Sequence, residues 1–98
     1  MIVNLSAILL DITGKQIKQA EVAQTVGSIA VEALQIFDTR DTAITGDEKV
    51  KRWKLACRIH GQDQAEISIE EAKLIKDLVG KYYGPVIVGQ VWESLEGK

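Results

Sequence analysis

The amino-acid sequence predicts a mostly helical α+β domain: an N-terminal β-hairpin followed by about four helices, at approximately residues 22–37, 46–60, 69–83 and 86–96. Three observations predict it. Apolar and polar residues alternate at the start of the chain, and later stretches repeat apolar side chains at helical spacing. Two of those stretches also open on a Ser/Thr-x-x-Glu signature and close at glycine or at Gly-Pro. With 98 residues, the chain is expected to form one domain, residues 1–98, with a modest core that oligomerisation would supplement.

The first element rests on Val3, Leu5, Ala7 and Leu9, which alternate with Asn4 and Ser6 before Ile8 and Leu10 make the run wholly apolar. Residues 11–15, Asp-Ile-Thr-Gly-Lys, form a turn, and residues 16–18 return as a short second strand. A hairpin of that size cannot stand alone, so it must lie on helices or pair across a subunit boundary. The first helix begins near Glu21 or Thr25 and runs to Phe37. Val22, Val26, Ile29, Ala30, Ala33, Leu34 and Phe37 keep its period, while Gly27 and the β-branched residues make it dependent on packing. Residues 38–44 are a polar connector.

The second helix is marked at both ends: Thr45 and Glu48 have capping-box spacing, and Gly61 can take the left-handed conformation that stops it. On its wheel Val50, Trp53, Ala56, Cys57 and His60 share one side with Leu55 and Ile59 beside them. Lys51, Lys54 and Arg58 fall opposite. Trp53 and Cys57 are therefore expected in the core, and Arg52, inside the arc, has to snorkel or pair. After a loop over residues 62–67, Ser68 and Glu71 open a third helix with Ala72, Ile75, Leu78, Val79 and Tyr82 as its buried stripe. Gly84-Pro85 ends it and starts the last, because proline at the first helical position loses nothing. Val86-Ile87-Val88 also suits a strand, but Val88, Val91, Trp92 and Leu95 keep helical spacing, and helix is the reading taken.

Composition excludes several classes of function. A net charge of −2 argues against a dedicated binder of double-stranded nucleic acid. One cysteine rules out an internal disulfide framework and fits a reducing cytoplasm. Asn4 and Ser6 interrupt the apolar N-terminus, so no secretory leader is expected, and no apolar run approaches the ~20 residues that span a bilayer.

The chemistry-bearing patterns are sparse. Gly14-Lys15 lacks the upstream glycine and the hydroxyl of a phosphate loop, and residues 38–49 end in lysine where a calcium loop needs a bidentate glutamate. Cys57 and His60 could place two metal ligands on one helix face, with a symmetric dimer supplying two more; a core cysteine beside a helix-end histidine is the simpler reading. Glu70 and Glu71 are adjacent on a helix and point different ways, as capping residues do. No catalytic group, metal or cofactor is expected. Lys49, Lys51, Arg52, Lys54 and Arg58 concentrate five of the twelve basic residues in ten positions. They form either a solvated helix face or, with Trp53, a surface that binds a phosphate-bearing ligand by ion pairing and stacking. The candidate ligand-binding residues are Lys51, Lys54, Arg58 and Trp53.

Residues 45–61, TGDEKVKRWKLACRIHG, and residues 68–97, SIEEAKLIKDLVGKYYGPVIVGQVWESLEG, carry a resemblance. The chain resembles small proteins encoded by tailed phages and prophages, in which a GEEK-x-KR helix precedes an EE-x-x-LIK-x-L-x-GK helix and a GP-x-x-VGQ-x-W tail. The similarity extends to an N-terminal D-x-x-GK turn, here Asp11 to Lys15. It carries over no functional residue. It implies a non-enzymatic protein in the cytoplasm of a bacterial host. One role it implies is an accessory inhibitor of host defence that sequesters a host protein or a small anionic nucleotide signal. The alternative is a virion morphogenesis protein, such as a tail assembly chaperone or head-tail accessory factor. A homo-oligomer with protein partners and no membrane association is expected in either case.

Overall fold

The structure, a computed structural model, describes residues 1–36 and 44–97. It is a mostly helical α+β fold with an N-terminal hairpin and, among the described residues, four helices. The order is β1 (Ile2–Asn4), β2 (Lys18–Gln19), β3 (Val22–Ala23), α1 (Val26–Gln35), α2 (Gly46–Ile59), β4 (Gln64–Glu66), α3 (Ile69–Tyr82) and α4 (Pro85–Leu95). Phe37 and residues 38–43 of the expected connector lie outside the described residues.

Alternation at the N-terminus does what period two requires: Val3, Leu5 and Leu9 are buried while Ile2, Asn4, Ser6, Ile8 and Leu10 are exposed. The backbone partners differ from those expected. β1 pairs antiparallel with β4, Val3 opposite Ala65, so part of the stretch expected to be a loop at residues 62–67 is a strand. The same segment then closes the start of α1. The amides of Val26 and Gly27, which have no partner inside their own helix, donate to the carbonyls of Ala7 and Leu5 at 3.0 and 2.9 Å. This brings the strand so close that a Cβ on Gly27 would sit 3.1 Å from both Leu5 Cβ and Leu5 O.

The turn at residues 11–15 forms as the sequence suggests. Asp11 Oδ1 accepts from the Thr13 amide, the Thr13 hydroxyl and the Lys15 amide, and Gly14 has φ +88°. The Thr13 hydroxyl, then the Lys15 amide, hold the Asp11 carboxyl below its ordinary value. Leu10 bridges Gln16 across the turn. A second, tighter hairpin follows, β2 against β3, turning through Ala20 and Glu21 at φ 51° and 67°. The first helix therefore begins at Val26, not residue 22, and Val22 is 64% exposed on a strand. Thr25 caps it through a reciprocal box with Ser28.

The remaining helices start and stop close to the expected residues. Thr45 caps α2 by accepting from the Glu48 amide, and Gly61 follows the helix at φ +74°. Ser68 and Glu71 form a full capping box on α3, and Pro85 opens α4. The core collects Val26, Ile29, Ala30, Ala33 and Leu34 of α1 with Ala72, Ile75, Leu78 and Val79 of α3, and Val91 and Leu95 of α4. α1 packs against α2, α3 and α4. Two latches hold α4. The Gln90 side-chain amide bonds both the N–H and the C=O of Leu10, at 2.9 and 2.7 Å, and Trp92 Nε1 donates to the Lys76 carbonyl at 3.1 Å. Lys76 in turn lies 4.8 Å from the Trp92 ring centroid and pairs with Glu96.

Candidate functional site

α2 is buried along a narrower arc than its wheel suggests. Leu55, Ala56 and Ile59 are buried, and Arg52 keeps only 14% of its side-chain surface exposed. These positions follow i, i+3, i+4, i+7, and the aliphatic residues decide which side faces inward. Trp53 and Cys57, expected in the core, are instead exposed, Trp53 at 61%. Val50 at 48% and His60 are exposed beside them. The arc is thus turned by about one residue, ~100° on the helix. Arg52 does pair, its Nε 3.6 Å from Glu48 Oε1, though that buried nitrogen makes no hydrogen bond.

The turn of the helix separates the expected site residues. Lys51, Lys54 and Arg58, at i, i+3, i+7, share one side of α2 and line a groove of about 470 Å³ between α2 and the start of α3. Leu55 and Leu74 provide apolar lining, and Glu48, Glu70 and Glu71 complete it. Trp53 lies outside this groove. It stands between two other hollows, one shared with Ile36, Ile44 and Arg52 and one with Val31, Cys57 and His60. Ion pairing and indole stacking on one ligand, as the sequence suggests, therefore do not coincide in one hollow.

Within the groove the charges are not equivalent. Arg58 Nη2 donates to Glu71 Oε2 at 2.5 Å, while Glu71 Oε1 accepts from the Ser68 amide at 2.8 Å. One carboxylate thereby caps α3 and fixes the guanidinium of α2. Burial pushes the Glu71 carboxyl up, but the Ser68 amide and Arg58 together outweigh it and bring it below the ordinary value. Lys51 and Lys54 form no ion pair among the described residues, so their ammonium groups are available to a ligand. The carboxylates of the groove were not apparent as part of a site, because the Ser68-Glu71 signature reports a helix start and carries nothing about which helix lies opposite.

Cys57 and His60 share an exposed side of α2, and no group of three or more metal-ligating side chains occurs among the described residues. No helix of the described residues is long and apolar enough to cross a membrane. The Tyr83 hydroxyl is buried without a hydrogen bond of ordinary geometry. Burial, then the nearby Glu32 carboxylate, push it up to about 12. Comparison with protein-family models, curated proteins and solved structures finds no match for this chain.

Proposed function

We propose that this chain acts by binding, not by catalysis, and that the α2–α3 groove takes a small anion of the nucleotide class. One observation carries the reading: Lys51, Lys54 and Arg58 line a single groove with apolar lining from Leu55 and Leu74. Its volume of about 470 Å³ suits a mononucleotide-sized ligand. Arg58 is pre-oriented by Glu71, so it would meet a phosphate with little loss of side-chain freedom. Lys51 and Lys54, which form no ion pair among the described residues, add positive charge, and the half-buried Leu74 offers a surface for a base. Glu48 and Glu70 oppose the anion but can accept from base N–H groups.

With the resemblance to phage-encoded proteins, such binding would make the chain an accessory inhibitor that withdraws a nucleotide signal from host defence in the bacterial cytoplasm. A second reading, a protein-binding role in virion morphogenesis, is favoured by the exposed Val50 and Trp53 on α2. Two measurements separate them. Protein purified from its host is denatured and the released small molecules are identified by mass spectrometry, and cyclic and linear nucleotides are titrated into the emptied protein by calorimetry. The nucleotide reading expects a retained or titratable nucleotide whose affinity falls with salt. A chain that retains none and binds none at millimolar concentration is not a nucleotide sink.

A further inference from the structure

We infer that the base taken by the α2–α3 groove is guanine and that Glu70 selects it, an inference that rests on the nucleotide reading of that groove. Its two walls differ in charge. α2 contributes the cations Lys51, Lys54 and Arg58, and α3 contributes Glu70, Glu71 and the half-buried Leu74. An occupant that is only an anion meets attraction on one wall and repulsion on the other. The groove therefore favours a molecule that turns phosphate toward α2 and N–H donors toward α3.

The carboxylates that line the groove are not equally free. Both oxygens of Glu71 are engaged, Oε1 by the Ser68 amide and Oε2 by Arg58. Glu48 lies beside the Arg52 guanidinium, 3.6 Å from its Nε. The Glu70 side chain forms no hydrogen bond or ion pair among the described residues, and Ser68 and Glu71 complete the cap of α3 without it. A free carboxylate offers two acceptor oxygens and no donor. Guanine answers them with two adjacent donors, N1–H and the N2 amine, so each oxygen receives one hydrogen bond. On the pairing edges of adenine and cytosine the amine adjoins a ring-nitrogen acceptor, and on uracil the single N3–H stands between two carbonyls. Each of those edges sets an acceptor against the carboxylate. Leu74, at i+4 from Glu70 on α3, gives the ring an apolar surface on the same wall.

Calorimetry on the full chain, with guanosine, inosine, adenosine and uridine 5′-monophosphates as titrants, reads the selection. Inosine monophosphate differs from guanosine monophosphate only in lacking the N2 amine. The wild type should bind guanosine monophosphate at least about tenfold more tightly than each of the others, the effect of one charge-assisted hydrogen bond. Glu70→Gln keeps the size of the side chain and removes its charge. At this exposed position helical circular dichroism should be retained, and the affinities should converge to within about threefold. Lys51→Ser/Lys54→Ser should instead weaken all the nucleotides together. A wild type that binds them equally, or a guanine preference that survives in Glu70→Gln, overturns the inference and leaves the nucleotide reading standing. If none of them binds, both fall.

Discussion

Two glycines show how a single residue's surroundings reverse the effect of one substitution. Gly27 sits where Leu5 crosses the start of α1, and an added methyl would meet Leu5 Cβ and the carbonyl that already accepts from the Gly27 amide, both at 3.1 Å. Gly89, inside α4, has nothing within 4 Å of an added Cβ. Chemical denaturation should therefore find Gly27→Ala destabilised by about 1–2 kcal/mol, overpacking exceeding the helix-propensity gain, and Gly89→Ala stabilised by about 0.5–1 kcal/mol. Titratable residues make a second prediction. The Glu71 carboxyl is lowered in the folded state, so its contribution is present above the unfolded value near 4.5 and lost as pH falls below it. Tyr83 is raised from 10.0 to about 12, so its contribution is present below pH 10 and lost as pH rises through 12. Thermal melts should show Glu71→Gln flattening the acid limb and Tyr83→Phe flattening the alkaline limb. Limbs that keep their slopes would remove both assignments.

At the level of elements, signals carried within a few residues were the legible ones. Thr45, Ser68, Gly61 and Pro85 each mark a helix end through their own side chain or backbone, and the structure uses all four. The β2–β3 turn was not legible, because it places Ala20 and Glu21 at positive φ where Asn-Gly is the usual signal. Two non-glycine residues held there store backbone strain. Ala20→Asn with Glu21→Gly should relieve it, and denaturation should show a gain of about 1 kcal/mol. β4 was equally silent: Gln-Ala-Glu has no strand signature, and its partner β1 is separated from it in sequence by β2, β3, α1 and α2. The orientation of α2 misled for a different reason. Counting Trp53, Cys57 and His60 with the apolar residues widened the arc, whereas Leu55, Ala56 and Ile59 set it.

Across the whole molecule, the helical α+β architecture followed from periodicity and caps, while the candidate site required knowledge of which helices adjoin. The basic trio was visible in the spacing of residues 51, 54 and 58; Glu70 and Leu74 joined it only through the packing of α2 beside α3. That packing also gives the molecule two separate faces on one helix, a charged groove toward α3 and an apolar ridge at Trp53 beside α1. The measurement that tests the central claim most directly is calorimetric titration of one bound nucleotide into three proteins: wild type, Lys51→Ser/Lys54→Ser, and Trp53→Ala. Arg58 is left intact because its bond to Glu71 also supports α3. If the groove is the site, the lysine pair costs about tenfold in affinity per residue, at ~1.4 kcal/mol each, and Trp53→Ala binds like the wild type. Unchanged affinity in the lysine variant, with binding lost in Trp53→Ala, would contradict the groove and move the ligand to the opposite face of α2.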